Sequence, residues 1–274
     1  MSKVTIGLDI AKSVFHLVFM NQSGRVLRKK KLRRHQMLSY FSQLEPCIVV
    51  MEACGSCHYW CRELTKAGHE VKAIAPQYVV AYRKGNKHDY NDAEAIAESS
   101  QREGMRFVPF KSQDQQDIQL MHRIRERMIA QQTALSNQIR GLLSEYGIVY
   151  ARGVATLVKE LPLTLEEADN GLSMLARRQF QGLLNDLREL REHIKEMDKE
   201  LKAFSQSQPV CERLMSMTGI GPLIATALYA GIGQGQAFNS GRHLAAWLGV
   251  VPKQHTTGDN PRLLGISKRG NTYL

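Results

Sequence analysis

One long stretch of apolar residues repeats with the spacing of a coiled coil, and it limits the folds open to this chain. The repeat alternates steps of four and three residues, and its members are Ala176, Phe180, Leu183, Leu187, Leu190, Ile194, Met197, Leu201 and Phe204. Such spacing over about four heptads predicts a helix that spans about 42 Å and buries one apolar stripe. The chain therefore contains a long helical region beside any sheet that it forms.

A second repeat precedes the first one and is less regular. Its apolar members recur every seven residues, at Met121, Met128, Leu135 and Leu142, with Ile124 between the first two. Gln131 and Gln138 hold later intermediate positions, Gly147 ends the pattern, and residues 148–163 form a connector. The two predicted helices pair either with each other or with a second chain, and the spacing does not distinguish these arrangements.

Short apolar runs in the first 75 residues predict a sheet. We expect strands at residues 3–9, 14–20, 25–32, 47–52 and 70–75, and helices at residues 35–44, 57–66 and from about residue 89. Asn21-Gln22-Ser23-Gly24 is typical of a hairpin turn, so the first three strands form an antiparallel meander. The first and fourth strands are then candidates for neighbours in the sheet.

Four acidic residues stand where these elements begin or end. Asp9 ends the first strand, Glu52 ends the fourth, and Asp89 and Asp92 share one face of the following helix. Four carboxylates that meet at one sheet edge cannot all ionise unless cations lie between them, and two Mg²⁺ ions about 4 Å apart meet that need. The alternative is that Asp89 is an N-cap and Asp92 a first-turn acid favoured by the helix dipole.

The residues around these acids resemble the motifs of a known family. The motifs are Ile-Gly-Leu-Asp9, Met-Glu52-Ala and Lys-His-Asp89-Tyr-Asn-Asp92-Ala. They are similar to those of the DEDD-type transposases and invertases, which include the pilin-gene invertase and insertion-sequence recombinases guided by a bridge RNA. The resemblance implies an RNase H-like, resolvase-like domain whose four acids bind Mg²⁺. It also implies DNA as substrate, a guide RNA, and a helical arm that dimerises the protein.

Beyond Pro209 the chain reads as a small, mainly helical domain. The stretch from Met217 to Ala227, with Gly219 and Gly221, resembles a helix-hairpin-helix turn whose exposed amides can hold a phosphate. A tight interhelix turn without a ligand is the alternative. A short apolar helix is predicted at His243–Leu248.

The last stretch is turn-rich and basic, and it carries several hydroxyl groups. An ordinary solvated loop is one interpretation, but Gly265-Ile-Ser-Lys-Arg-Gly270 resembles the second signature of the same family. The resemblance implies a nucleophilic serine at the position that Thr257 occupies here; Thr256 and Ser267 are alternatives. Three cations in this stretch are candidates for phosphate binding: Arg262, Lys268 and Arg269. The family resemblance also implies further residues after Leu274.

Charge points to a polyanionic partner. The formal net charge is +11 and the isoelectric point is about 9.5, which favours a nucleic acid. The third predicted strand and the two residues after it carry seven cations and no acid, so we expect Lys30, Arg33 and Arg34 to face phosphates. A solvated charged face without a ligand is the alternative.

The cysteines and the amino-terminal residues indicate a cytoplasmic protein. Five cysteines form no extracellular framework, and neither a signal-peptide core nor a membrane-spanning apolar run is present. Cys54, Cys57, His58 and Cys61 lie within eight residues, too close for an easy tetrahedral zinc shell, so packing is their expected role. We therefore expect a cytoplasmic protein without a membrane partner, and the family resemblance implies that it is bacterial and nucleoid-associated.

These expectations combine into one prediction of organisation and activity. Residues 1–110 form the RNase H-like catalytic domain, residues 111–207 the coiled-coil arm, and residues 208–274 a helix-hairpin-helix-like carboxy-terminal domain. The predicted protein is a homo-oligomeric, dimeric or tetrameric transposase that exchanges DNA strands with Mg²⁺ and a hydroxyl nucleophile. The alternatives are a metal-dependent nuclease or Holliday-junction resolvase that uses water, a non-catalytic nucleic-acid-binding protein, and a structural coiled-coil adaptor.

Overall fold

A computed structural model describes residues 3–85, 88–258, 260–268, 270 and 273 of the chain. Its internal contacts divide the chain into two compact units, residues 1–112 and residues 113–274. Each unit has its own buried apolar clusters, and we treat the two in turn.

The first unit is an α/β domain. Its elements are β1 (Thr5–Asp9), β2 (Val14–Met20), β3 (Val26–Arg33), α1 (Met37–Phe41), β4 (Ile48–Glu52), α2 (Cys57–Lys66), β5 (Glu70–Ile74), α3 (Pro76–Val79), α4 (Asp89–Ser100) and β6 (Phe107–Val108), with 3₁₀ turns at Arg34–Gln36 and Val80–Tyr82. They form a six-stranded sheet in the order β3-β2-β1-β4-β5-β6. Strands β1, β4 and β5 are parallel, and β2, β3 and β6 are antiparallel to their neighbours.

The two faces of this sheet follow the alternation of side chains along each strand. Ile6 and Leu8 lie on one face, in the apolar cluster that contains Trp60 of α2. Gly7 lies on the opposite face, against α4. A Cβ atom on Gly7 would stand 2.0 Å from the Ala93 carbonyl oxygen, so a glycine here lets the α4 backbone rest directly on β1. This close approach brings the start of α4 to the end of β1.

Most elements of this unit agree with the sequence pattern. The bounds of β2 and α2 are those predicted, the first three strands form the expected meander, and β1 and β4 are neighbours. The short β6 and α3 were not predicted. The helix expected at residues 35–44 is shorter and begins as a 3₁₀ turn.

The second unit is mostly helical. Its elements are α5 (Gln113–Ser144), α6 (Val154–Glu166), α7 (Met174–Ser207), α8 (Pro209–Met215), α9 (Pro222–Ile232), α10 (Gly241–Leu248), β7 (Pro252–Thr257) and β8 (Asn260–Ile266). The long helices α5 and α7 pack against each other within the chain. Ile139 and Leu143 of α5 contribute to the same buried cluster as Phe180, Leu184 and Leu187 of α7.

The packed stripe of α7 agrees better with the sequence than that of α5. Alternate members of the α7 repeat are buried, as at Leu187, Ile194 and Leu201. On α5, however, Leu142 is 44% exposed, and the neighbouring Leu143 is buried instead. An α-helix turns once per 3.6 residues, so a seven-residue repeat drifts round its surface unless the helices supercoil.

The last part of the unit contains a turn and a hairpin. Helices α8 and α9 are joined by a tight turn at Gly219, whose φ of 92° requires the freedom of glycine. Strands β7 and β8 form a two-stranded antiparallel hairpin, which the sequence analysis treated as a loop. Among the described residues, no helix has the length and apolar character needed to cross a membrane.

Candidate metal centre and carboxy-terminal hairpin

Two acidic side chains stand at adjacent strand ends in the sheet. Parallel pairing aligns Leu8 of β1 with Met51 of β4, so Asp9 and Glu52 follow at the same edge. Glu52 is two residues beyond Val50, which packs against α4, and alternation places both side chains on that face. Asp9 is likewise two residues beyond Gly7, on the same face. The sheet therefore directs both carboxylates toward the side that carries α4.

Helix α4 contributes the other two acids from its first turn. Asp89 is its first residue and Asp92 lies one turn later. His88 is the N-cap, because its side chain accepts a hydrogen bond from the Tyr90 amide. The alternative of Asp89 as N-cap is therefore wrong. Asp92 also contacts Arg83, whose Nη1 lies 3.4 Å from Asp92 Oδ1.

A histidine joins two of these acids, Asp9 and Asp89, at the sheet edge. The candidate ligand atoms of Asp9, His16 and Asp89 all lie within 4.8 Å of one another. His16 is paired with Asp9 across the β1–β2 ladder, and its Nδ1 lies 3.3 Å from Asp89 Oδ2. We call these three residues, with Glu52 and Asp92, the acid edge. His16 was not among the predicted site residues. The predicted antiparallel pairing of the first two strands would have placed it opposite Asp9.

The His16 imidazole is buried and favours its neutral form. Burial lowers the pKa of His16 below its ordinary value, while the nearby Asp89 carboxylate opposes that shift. The contact between His16 and Asp89 is therefore not a salt bridge of full charges. Tyr90 packs its ring edge-on against the imidazole, with ring centroids 4.7 Å apart, and fixes the ring from α4.

The carboxylates of Glu52 and Asp9 affect the pKa of a thiol in the loop after β4. Burial raises the pKa of the Cys54 thiol to about 11, and the charges of Glu52 and Asp9 add to the rise. Both acids are thus close enough to act on the same sulfur. The other members of the cysteine group lie elsewhere: Cys57 and Cys61 are buried, and His58 accepts a hydrogen bond from the Lys111 amide.

The chemistry of the acid edge fits a divalent cation. Carboxylate oxygens are the ligands that Mg²⁺ prefers, and it needs only one or two from the protein. Asp9 and Asp89 bring such oxygens together from two elements that the core holds in place. The arrangement can hold a cation and expose it to a ligand, because the Asp89 side chain is 65% exposed.

The candidate nucleophiles differ in their surroundings. Thr257 is the last residue of β7, exposed, and paired with Asn260 across the hairpin turn. Its neighbour Thr256 accepts a hydrogen bond from the Gln254 side chain. Ser267 is half-buried and donates to the Gly249 carbonyl oxygen at 3.0 Å. The exposed hairpin end therefore favours Thr257 over Ser267 as a group that can reach a large substrate.

The segment after the hairpin, with Ser267, Lys268 and Gly270, is seated on the end of α10. The Ser267 and Lys268 amides donate to the carbonyls of Val251 and Gly249. A Cβ atom on Gly270 would stand 2.2 Å from the Leu248 carbonyl oxygen, so this glycine lies directly on the end of α10. Arg262 is exposed on β8, and Lys268 is exposed beyond it. Arg269 lies outside the described residues.

The basic strand β3 is an edge strand of the sheet. Lys30 lies 4.2 Å from the centre of the Tyr40 ring, and Arg34 lies 5.2 Å from that of Trp60. Arg33 is exposed. Two of the three predicted contacts to nucleic acid are thus already stacked on aromatic rings, which holds their charges at the surface.

Comparison with known proteins gives the class of the chain. A family model of the IS110 DEDD type, described as transposase, matches residues 6–148. A second model, described as transposase IS116/IS110/IS902 family, matches residues 211–274. The two matches cover the acid edge and the carboxy-terminal hairpin respectively.

Similar curated proteins agree with these models. The "Probable family 20 transposase" of Pseudomonas aeruginosa is 44% identical, over 98% of this chain and 80% of its own length. The transposase for insertion sequence element IS1111A of Coxiella burnetii is 42% identical, over 98% of this chain and 74% of its own. The pilin gene-inverting protein of Moraxella bovis is 25% identical, over 94% of this chain and 75% of its own. The chain belongs to the IS116/IS110/IS902 family of transposases, as its motifs predicted.

Proposed function

We propose that this chain is an insertion-sequence transposase that cuts and exchanges DNA strands by phosphoryl transfer at the acid edge. The observation that carries the proposal is the convergence of Asp9 and Asp89, with ligand atoms within 4.8 Å, from a strand and a helix far apart in sequence. Two such carboxylates repel each other unless a cation lies between them. The family membership supplies the substrate class, DNA.

The four acids have one shared role in this proposal. Together they hold two divalent cations, for which Mg²⁺ is the first candidate. The four acids are Asp9, Glu52, Asp89 and Asp92. When bound, such ions neutralise charge on a phosphate and lower the pKa of an attacking hydroxyl. The order β3-β2-β1-β4-β5, with β2 alone reversed among the central strands, supports an RNase H-like domain as the scaffold.

Thr257 supplies the attacking hydroxyl in the proposed reaction. A bond forms between Thr257 Oγ1 and phosphorus as the bond from phosphorus to a deoxyribose oxygen breaks. The threonine proton passes to solvent, and the leaving oxygen takes one up, so the phosphodiester is exchanged without net hydrolysis. Arg262, Lys268 and Arg269 orient the phosphate and balance its charge.

The remaining partners follow from charge and family. The basic edge strand β3, with Lys30, Arg33 and Arg34, is the proposed seat of a nucleic acid, either DNA or a guide RNA. The protein acts as a homo-oligomer, a dimer or a tetramer, in the bacterial cytoplasm and on the nucleoid. The helices α5 and α7 bury their main stripes against each other, so this pairing alone does not need a second chain. The coiled-coil arm at residues 111–207 and the carboxy-terminal domain at residues 208–274 stay predictions.

Trapping of a covalent intermediate tests the proposal. The full chain is expressed together with the DNA that flanks its gene, which also supplies any guide RNA. Duplexes with the ends of that element and a labelled suicide strand are added with Mg²⁺. We expect label on denatured protein, lost in Thr257→Val and kept in Thr256→Val, because these neighbours project to opposite faces of the strand.

Two outcomes separate the rivals. Cleavage with Mg²⁺ but without protein-bound label indicates a nuclease or resolvase that uses water. Labelled protein in Asp89→Asn at the wild-type level contradicts the role of the acid edge. DNA binding that is unchanged in Asp89→Asn, together with no cleavage by the wild type, indicates a protein that only binds nucleic acid.

A further inference from the structure

One nitrogen atom at the acid edge is buried without a hydrogen-bond partner among the described residues. The His16 side chain is 9% exposed, and its Nδ1 has no hydrogen-bond partner among the residues that the structure describes. A buried polar atom left unpaired is unfavourable, because it has lost its hydrogen bonds to water. Such an atom therefore calls for a ligand that the described residues do not provide.

The surroundings of this nitrogen define what the ligand must be. Asp89 Oδ2 is 3.3 Å away but does not meet hydrogen-bond geometry, and an Asp9 oxygen completes a group within 4.8 Å. A neutral imidazole presents a lone pair, as does each carboxylate oxygen. A cation between three electron-pair donors can bind all three at once, whereas a water molecule can donate hydrogen bonds to only two of them.

The fold holds the histidine in this direction. Strand pairing places His16 directly opposite Asp9, and Val18, two residues on, shares its face. The Tyr90 ring supports the imidazole from α4. Backbone register and ring packing thus hold the imidazole beside the acids.

We propose that His16 Nδ1 is a direct ligand of the cation held by Asp9 and Asp89, and that it gives this site a preference for Mn²⁺ or Co²⁺ over Mg²⁺. The inference rests on the proposed metal site and adds to it a nitrogen ligand outside the four acids of the motif. Imidazole binds first-row transition ions well, whereas Mg²⁺ favours oxygen ligands and water.

Electron spin-echo spectroscopy of the full chain with Mn²⁺ alone tests this ligand directly. We expect modulation from a coordinated ¹⁴N nucleus, and we expect the pattern to change when the protein is labelled with ¹⁵N-histidine. In His16→Gln the nitrogen modulation disappears, and Mn²⁺ affinity falls by about tenfold or more, on the scale of losses at metal sites. Mg²⁺ affinity changes by less than about twofold, because two oxygens and water satisfy it.

A second histidine of the same helix start is the matched control. His88 precedes Asp89, but its Nδ1 already accepts a hydrogen bond from the Tyr90 amide. Asparagine is a good N-cap, so His88→Asn preserves the start of α4 and is expected to keep the nitrogen modulation. The isotope shift in the wild-type protein does not depend on the folding of any variant.

The outcomes distinguish this inference from the proposal beneath it. One outcome is that Mn²⁺ binds the wild type and not Asp9→Asn, but shows no nitrogen modulation. This outcome overturns the role of His16 and leaves the acid site standing. Nitrogen modulation that survives in His16→Gln or disappears in His88→Asn also overturns it. Mn²⁺ binding that does not depend on Asp9 overturns the metal site itself.

Discussion

The acid edge and the carboxy-terminal hairpin are built in opposite ways. At the acid edge, Asp9 and Glu52 end strands whose inner residues are buried, and α4 rests on β1 without a side chain between them. In the hairpin, every described residue of β7 and β8 is exposed, and only the segment after it is seated on α10. One region is fixed by a core, and the other projects from its unit.

The difference suggests a division of work. Ligands for a cation need positions held within a fraction of an ångström, which packed elements provide better than loops. A group that must reach a phosphodiester inside a large DNA substrate needs exposure and freedom to adjust. The proposed roles of Asp89 and Thr257 follow this division.

The largest expected effect comes from Gly7→Ala. The new methyl group would lie 2.0 Å from the Ala93 carbonyl oxygen and 2.8 Å from the Ala97 amide nitrogen, so α4 must move away from β1. We expect a loss of about 3 kcal/mol or more in unfolding free energy, together with loss of Mn²⁺ binding. Urea denaturation and metal titration measure the two effects.

Gly55→Ala is the matched control in the same unit, since a Cβ there meets nothing within 4 Å. Its unfolding free energy should change by less than about 0.5 kcal/mol. Equal effects of the two substitutions would contradict the view that α4 is positioned by direct contact with β1.

The next largest effect concerns what ties the chain end to the helical unit. Buried His122 of α5 contacts Thr226 of α9 and the Tyr273 hydroxyl, at 3.0 and 2.8 Å. Burial, with a smaller effect of Arg125, lowers the pKa of His122 from 6.5 to about 4. As pH falls, His122 is therefore protonated in the unfolded chain before it is protonated in the folded chain. The contribution of neutral His122 to the unfolding free energy is complete above pH 6.5 and is lost as pH falls toward 4.

The corresponding loss of unfolding free energy is about 3 kcal/mol at pH 4. Urea midpoints from the helical signal at pH 7 and pH 4 measure it, and His122→Gln should reduce the pH dependence by about that amount. His193→Gln, at an exposed position of α7, should leave the profile as it is. A profile that is the same in wild type and His122→Gln would refute the assignment.

A smaller and more local effect is expected from Gly270→Ala. A methyl group there would lie 2.2 Å from the Leu248 carbonyl oxygen, which displaces the segment from α10. We expect faster hydrogen exchange at the Ser267 and Lys268 amides, by about fivefold to thirtyfold for a local cost of about 1–2 kcal/mol. The control is Gly265→Ala, where a Cβ meets nothing within 4 Å. Global unfolding by Gly270→Ala would show that the hairpin segment is part of the core.

The smallest effect is expected at the hairpin end. Thr257→Val exchanges a hydroxyl for a methyl group at an exposed site and should change the unfolding free energy by less than about 0.5 kcal/mol. The reverse exchange, Val50→Thr, buries a hydroxyl beneath α4 and should cost about 1–3 kcal/mol. Calorimetry measures the unfolding free energy of both variants. It thereby compares a threonine with a valine in each of the two regions. A large loss in Thr257→Val would mean that the hairpin end is packed.

Local patterns predicted the first unit well because its strands are short, apolar and ended by turns or acids. The β2 residues Val14–Met20 and the α2 residues Cys57–Lys66 have the predicted bounds. The hairpin at β7 and β8 was missed because β7 is polar and the apolar residues of β8, Leu263, Leu264 and Ile266, do not alternate with polar ones as in a half-buried strand.

The α5 helix shows a different limit. Its existence was predicted, and Met121 and Leu135 of the predicted stripe pack against buried clusters, but Leu143 and not Leu142 enters the cluster with α7. Adjacent helical positions differ by about 100° in direction, so a small change in how two helices meet exchanges one for the other. A sequence with polar residues in its seam constrains that choice weakly.

By itself, the sequence indicated the family, most strands of the first unit, and the strand-end or helix-start positions of the four acids, because short apolar runs and the residues that end them are local signals. Only the tertiary structure decided that His16 stands among those acids, that His88 and not Asp89 caps α4, and that Thr257 lies at an exposed hairpin end. The place of His16 depends on strand register, the cap on the side-chain conformation of His88, and the exposure of Thr257 on what packs around the hairpin. None of these is encoded by the spacing of residues along one element.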